Sequence, residues 1–501
     1  MTSLSSRSWK RLDYLVHRWT AIVLGFLVFS WFVSGIALMY YPWPALTESR
    51  QLALLEPLDL GPSDSALIGF AAAVARARDP RVTGARLLRR NGVVMYELQR
   101  DERGYLTPAA LVDAHTGAVL TPLDSAAAIA AARRLAGGNA RVARVDLLPR
   151  GDRYMMSREY ARFFPAYRVR FADPGATAVY VSRDRGTAFG VATRRTRVTT
   201  WIGVVPHWLY FQWLYDRFAL WTWLNLLLPS AAVLIAATGI AFGIAQLAPR
   251  QRKGLWRFTE YRGISKWHHV AGIVCGVLVL TWTLSGVFEM LGAGNEARAG
   301  DAERVRAGRI AWADLRVRER DVVRRLPQTQ TVIAIDLERL MGRVGYHVVT
   351  DGHRNDAWID ATSGALRGEL DAAWAADAAR QIVSGARVIR IDRIARYDTY
   401  YYARPGREMH LPVWRVAFGD SARSVVYLNT VSGAPAGFVD ADTRAWRWLR
   451  DGMHSLDFPA INNRRPLWDA IVLPFMIGGI LIATTGMWMV VRRVRRMASA
   501  S

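Results

Sequence analysis

Nine histidines occur in the 501 residues, and four of them recur at fixed spacings. His17 lies 251 residues before His268, and His207 lies 247 before His454. Neutral imidazoles carried on two helices are a common axial pair for a b-type haem. Two such pairs would hold two haems. A histidine at the end of an apolar helix can also lie among lipid headgroups. Duplication of all four positions is what favours ligation. Nearby glycines (Gly25, Gly35, Gly272, Gly276 and Gly286) would let a flat macrocycle approach the backbone, or would serve helix packing. His269 faces Arg18 in the repeat and points to another helix face, which leaves it a reserve ligand. His115, His347, His353 and His410 are scattered and suit turns or surface.

The elements that must position these rings are apolar. Uncharged runs cover Trp19–Tyr41, Phe218–Ala248, Val270–Phe288 and Ala470–Val491. At 19 to 31 residues, each is long enough to cross a ~30 Å hydrocarbon core. The first is too long for the apolar core of a signal peptide, and no clean cleavage site follows it. Basic clusters flank these runs: Arg7, Lys10, Arg11 and Arg18; Arg250, Arg252, Lys253, Arg257, Arg262 and Lys266; Arg492, Arg493, Arg495 and Arg496. All three fall on one side, which predicts that both termini and the short loop are cytoplasmic. His17 and His268 then lie at the cytoplasmic face, and His207 and His454 at the external one.

The duplication extends beyond histidine. Trp31, Ser34 and Gly35 match Trp282, Ser285 and Gly286; Asp113 and Gly117 match Asp360 and Gly364. Trp201, Leu220-Trp221 and Thr238-Gly239 match Trp448, Leu467-Trp468 and Thr485-Gly486. Each half is therefore span, external module, span, and the natural core is a four-helix bundle with a pseudo-twofold axis. The predicted layout is an N-terminus and first span over 1–41, an external module over 42–217 and a second span over 218–248. A loop over 249–266, a third span over 267–289, a second module over 290–469, a fourth span over 470–491 and a tail over 492–501 complete it. The modules read as α plus β, with helices predicted at 65–78, 124–136, 311–325 and 371–383 between alternating strand runs.

Composition narrows the function. Hydrophobic residues are 51% and charged residues 22%, a mixture of membrane and aqueous phases in one chain. The net charge of +24 would suit nucleic acid, but the excess belongs to span flanks and to an arginine-rich external surface. The single cysteine, Cys275, excludes a disulfide framework and cysteine-ligated metal centres. No phosphate-binding loop, no glycine fingerprint of a nucleotide or flavin domain, and no hydrolase motif is present. No residue is assigned a catalytic acid, base or nucleophile role. Arg153, Tyr154 and Met155 in one half, and Tyr400, Tyr401, Arg404 and Arg407 in the other, mix arginine with aromatics. They could meet an anionic chelated metal, or pack as strand and loop at the membrane surface.

In sum these features resemble the PepSY-associated transmembrane family, which includes inner-membrane ferric-siderophore reductases. The resemblance rests on His17-Arg18-Trp19, Ser34-Gly35, Ser285-Gly286, the D-x-x-[ST]-G turns at Asp113 and Asp360, Met453–Leu456, and the Thr-Gly pairs at 238–239 and 485–486. It covers nearly the whole chain. It implies a membrane α-helical bundle of four transmembrane helices in duplicated halves, with α+β PepSY-like periplasmic modules. It also implies two b-type haems on His17, His268, His207 and His454, passing electrons across the bacterial inner membrane to a ferric siderophore. The donor would be a flavin reductase or membrane quinol outside this chain. Other readings are a non-enzymatic PepSY platform that binds or regulates periplasmic peptides or proteases, and a transporter component.

Overall fold

In the computed structural model, each apolar run is a single helix: α1 (Ser6–Tyr40), α2 (Phe218–Ala245), α3 (Ile264–Gly292) and α4 (Leu467–Ala498). All four are long and apolar enough to cross a membrane. The structure describes residues 6–41, 52, 54–60, 66–102, 105–137, 140–155, 158–247, 250–252, 255–257, 259–292, 310–312, 315–327, 330–351, 356–403, 409–458, 460–461 and 464–499. Three of the helices begin earlier than the uncharged runs, because arginine and lysine are good helix formers and carry the helix past the apolar segment. The short loop before α3 is not plain coil: Arg250–Arg252 and Leu255–Arg257 pair as an antiparallel hairpin.

The bundle is a compact unit of its own, formed by residues 1–43, 198–295 and 444–501. This unit takes in residues 198–217 and 444–469, which precede the uncharged runs, together with the helices. Both α1 and α3 pack against α2 and against α4. His17, early in α1, lies against Ile235, late in α2, and His268, early in α3, lies against Ile482, late in α4. Successive helices therefore run in opposite directions. An apolar cluster fills the bundle, with Phe32, Ala236, Val279, Trp282, Trp468, Val472 and Met476 buried.

The second unit spans 44–197 and 296–443. Its strands are β1 (Gly84–Arg90), β2 (Val93–Glu102), β3 (Tyr105–Asp113), β4 (Val142–Leu148), β5 (Ala166–Phe171), β6 (Ala178–Ser182) and β7 (Ala188–Ala192) from the first half. The second half supplies β8 (Val332–Leu340), β9 (Arg343–Thr350), β10 (Ala357–Asp360), β11 (Leu366–Arg367), β12 (Val388–Ile394), β13 (Val413–Phe418), β14 (Val425–Asn429) and β15 (Pro435–Val439). Strands β4–β7 and β12–β15 form two four-stranded antiparallel sheets, one per half. Each receives an alanine-rich helix, Ser125–Ala136 or Ala372–Ile382, whose small side chains allow close approach. Asp124 and Asp371 cap these helices by accepting the backbone N–H of Ala127 and Trp374, at 2.8 and 2.7 Å. Such a cap is worth about 1 kcal/mol.

The remaining strands draw on both halves. They make a single seven-stranded antiparallel sheet in the order β11-β10-β9-β8-β1-β2-β3. The junction is β1 against β8, with Leu87 opposite Ile335 and Arg86 opposite Asp336. Left apart, β1 and β8 would each be an open edge with unpaired N–H and C=O groups, and pairing removes both edges. The Arg86 guanidinium meets Asp336 through Nε at 2.5 Å and Nη2 at 2.8 Å. One apolar core draws on both halves: the Phe70 ring lies 4.9 Å from Tyr96 and 6.0 Å from Tyr346.

The helix expected over 65–78 forms at Phe70–Ala77, and that over 311–325 shortens to Glu319–Arg324. Residues 313 and 314 of the latter expectation lie outside the described residues.

Candidate functional site

The four repeated histidines meet as two pairs within the bundle unit. His17 and His268 face each other with ring centres 6.3 Å apart, and His207 and His454 with ring centres 6.0 Å apart. A metal–imidazole bond of about 2.0–2.1 Å, with about 1.1 Å from nitrogen to ring centre on each side, places two axial rings about 6.3 Å apart. Both pairs match the spacing of two imidazoles sharing one metal atom.

The hydrogen bonds decide which nitrogen faces inward. His17 Nδ1 lies 2.9 Å from the Ile235 carbonyl, and His268 Nδ1 lies 3.1 Å from the Ile482 carbonyl. A carbonyl only accepts, so each Nδ1 carries the proton. The second pair reaches the same state through serine. His207 Nδ1 is 3.0 Å from Ser34 Oγ, and His454 Nδ1 is 2.9 Å from Ser285 Oγ. Both hydroxyls donate to a backbone carbonyl of their own helix, Trp31 and Trp282 respectively. Each hydroxyl therefore accepts from the ring. All four rings hold the proton on Nδ1, which makes Nε2 the basic nitrogen, the arrangement that orients a metal-ligating histidine. Burial, with the His454 ring beside it, holds His207 down at about 3, and burial also lowers His454, so both are neutral at neutral pH.

Local structure brings His207 and His454 over the bundle. His207 ends the short helical segment Val204–His207 and His454 lies within Met453–Ser455, and two residues after each the chain turns through the left-handed region, at Leu209 (φ 52°) and Leu456 (φ 48°). That conformation costs a non-glycine residue roughly 1 kcal/mol. An indole from the adjoining helix holds each turn. Trp221 Nε1 donates to the Trp208 carbonyl at 2.8 Å, and Trp468 Nε1 donates to the Ser455 carbonyl at 2.9 Å.

The repeated Ser-Gly and Thr-Gly motifs thereby acquire a physical role that spacing alone did not reveal. The serines orient His207 and His454. The Thr485 hydroxyl, 3.1 Å from His268 Nδ1, donates to Leu481 and accepts from the ring. At Gly239 a Cβ would stand 2.7 Å from His17 Cε1, so only glycine admits that ring. Gly486 has the same relation to His268 at 3.4 Å.

The glycines expected to admit a macrocycle divide. A Cβ at Gly25, Gly35, Gly276 or Gly286 would meet Met487, Met476, Ile240 or Pro229, which is helix packing. At Gly272 it would meet nothing within 4 Å.

A further expectation changes. His269 is not a reserve ligand: it is buried, its Nε2 donates to the Gly243 carbonyl at 2.8 Å, and its Nδ1 lies 2.7 Å from Thr259 Oγ1. Both nitrogens are occupied in tying the loop before α3 to α2. Of the two readings of the arginine–aromatic stretches, packing holds for Met155 and Tyr401. Met155 and Tyr401 are each 1% exposed. Met155 fills the space over Gly190, and the Tyr401 ring stacks on Tyr427 at 4.8 Å. Apolar bulk drives both into the sheet cores. Arg153 is exposed, and Tyr154 and Tyr400 are half-buried; Arg404 and Arg407 lie outside the described residues.

His115 sits in the Asp113 turn, as expected, and His353 lies outside the described residues. His410 is exposed. His347 is neither turn nor surface. It stands on β9 opposite Asp336, with Nε2 3.3 Å from Asp356 and Nδ1 3.9 Å from Glu338. Asp336, Glu338 and His347 bring ligand atoms within 4.8 Å of one another. The Arg86 guanidinium already neutralises Asp336, so the cluster has a resident cation.

No protein-family model matches the chain, and no curated protein matches it.

Proposed function

We propose that this chain is a membrane-embedded two-haem reductase of the PepSY-associated transmembrane kind. It would carry electrons across a bacterial inner membrane to a ferric siderophore on the periplasmic side. The observation that carries the reading is the pair of facing imidazoles at each end of one apolar bundle, each with Nδ1 tied down.

His17 and His268 would hold one b-type haem, and His207 and His454 the other. A haem with two nitrogen ligands supplies a one-electron ferric/ferrous couple and leaves no open iron position for substrate. The chain's own residues set the conditions around it. Ile235, Ile482 and Thr485 fix the rings of one pair, and Ser34 and Ser285 those of the other. Seventeen residues separate His17 from Ser34 and His268 from Ser285, a rise of about 25 Å at about 1.5 Å per residue. Two centres so placed span most of a ~30 Å hydrocarbon layer, which one centre would not.

The basic clusters at Arg7–Arg18, Arg250–Lys266 and Arg492–Arg496 support a cytoplasmic His17–His268 end, where a flavin reductase or quinol would donate. The acceptor takes one electron per iron. The ferrous product is held less tightly by the hard oxygen ligands of a siderophore, which frees the metal.

An absorption spectrum with haem stoichiometry tests the reading. Two haems per chain with a reducible Soret band are expected. A colourless protein from haem-replete cells would sink it.

A further inference from the structure

The twofold repeat of the bundle is broken where Phe32 enters it. Phe32 is 5% exposed and its counterpart in the second half is Thr283. Its ring meets Trp282, 8% exposed, edge to face at 5.7 Å between centres. These are not equivalent positions: the repeat partner of Trp282 is Trp31. The asymmetry is matched on α4. A Cβ at Gly479 would stand 2.5 Å from Phe32 Cε1 and Cζ, and the position equivalent to Gly479 in the first half is Ala232. The second half has therefore given up a side chain where Phe32 enters.

The location has consequences. Phe32 precedes Ser34 by two residues and Trp282 precedes Ser285 by three, so both Cα atoms lie just on the inner side of the His207–His454 pair. Helical side chains lean toward the N-terminus, and α1 and α3 run in the same direction. Both rings thus extend into the gap between the two histidine levels. Val279, Ala236, Val472 and Met476 surround them, and none carries a charge. Trp282 is also bonded into the outer pair, since its carbonyl accepts the Ser285 hydroxyl that orients His454.

We propose that Phe32 and Trp282 form the electronic bridge between the two centres. This rests on the two-haem reading. Electron tunnelling weakens exponentially with the gap between donor and acceptor, and low-lying aromatic orbitals weaken it less than aliphatic ones. The pair fills the gap with aromatic carbon, and the Thr283 hydroxyl at the repeat position of Phe32 is bonded to the Val279 and Leu280 carbonyls of its own helix. Electrons cross one at a time, and no bond forms or breaks at either ring. Phe32 and Trp282 are positioning residues, and the electron would pass between the groups held by the two histidine pairs.

The full chain in sealed proteoliposomes, mixed with dithionite that does not cross the bilayer, provides the test. The haem facing the reductant is reduced directly, and the second only through the bundle, so the later phase reports the transfer. Phe32→Leu and Trp282→Leu are expected to slow that phase by about an order of magnitude, with two haems per chain and unchanged midpoint potentials. Trp282→Phe keeps an aromatic ring and is expected to keep the rate. Gly479→Ala, which displaces the Phe32 ring without deleting it, is expected to slow it. An unchanged later phase in the Phe32→Leu and Trp282→Leu proteins, with both haems bound, overturns the bridge and leaves the two-haem reading standing. A wild-type protein without haem overturns that reading and the bridge with it.

Discussion

Ser285 holds His454 through a single hydroxyl that faces two ways. Its oxygen accepts the imidazole Nδ1–H at 2.9 Å, and its proton goes to the Trp282 carbonyl one helical turn earlier. Ser34 does the same for His207. Both serines are 0% exposed, so no water can replace them cheaply.

On the two-haem reading, Ser34→Ala and Ser285→Ala are therefore expected to weaken haem binding at the His207–His454 pair by about 10- to 100-fold, the usual effect of removing a partner behind a ligating histidine. The other pair should keep its haem. Haem titration of the apoprotein, read at each centre's α band, checks this. Equal weakening at both centres would refute the assignment of these serines.

The two glycines behind His17 and His268 differ in a measurable way. A Cβ at Gly239 would approach His17 Cε1 to 2.7 Å, whereas one at Gly486 would rest 3.4 Å from His268 Cε1. Gly239→Ala should displace the His17 ring and lose that haem. Gly486→Ala should retain it. Haem stoichiometry of the two proteins gives the answer, and the idea fails if the two behave alike.

Trp221→Phe and Trp468→Phe remove the indole bonds that hold the left-handed turns after His207 and His454. Each is expected to cost about 1 kcal/mol of local stability, the net value of one buried hydrogen bond. Hydrogen exchange of the amides at 207–210 and 454–457 should quicken, respectively. Unchanged protection would show that the turns need no such support.

In the sheet unit, stability is expected to fall as pH rises past neutrality. Burial alone would lower His347, but Asp356, Glu338 and Asp336 outweigh it and hold the imidazole up at about 9. The folded value lies above the unfolded one of about 6.5, so the stabilisation is complete below about 6.5 and is lost as pH rises through about 9. Thermal unfolding of the full chain in detergent should show this loss. His347→Gln should flatten the fall between those values, and a variant with the wild-type pH profile would exclude His347 as its source.

Glu319 gives a slope of the same sign at lower pH. Its carboxylate is 4% exposed, accepts the Phe70 N–H at 2.9 Å, and is pushed up by burial. Ionisation thus costs stability as pH rises through the folded value. Glu319→Gln keeps an acceptor without the charge and is expected to raise the unfolding temperature at pH 7, by about 1 kcal/mol of stability. A lower unfolding temperature would contradict it.

The sequence by itself determined the features that depend on local chemistry and on repetition. Long uncharged runs must be helices if they meet lipid, because only a helix satisfies its own backbone there, and all four appear where the runs predict them. The four repeated histidines were legible because duplication doubles a weak signal. Asp124 and Asp371 were legible as helix starts because a cap is a property of a few adjacent residues.

Tertiary structure alone decided what depends on partners distant in the chain. Nothing near Ser34 announces that it will meet His207, 173 residues away, or that Gly239 must lack a side chain to admit His17. Arg86 opposite Asp336, which joins the two halves in one sheet, follows from two edges finding each other, and no local pattern encodes that choice. Met155 and Tyr401 resemble exposed recognition residues until the sheets fold beneath them and bury their apolar surface.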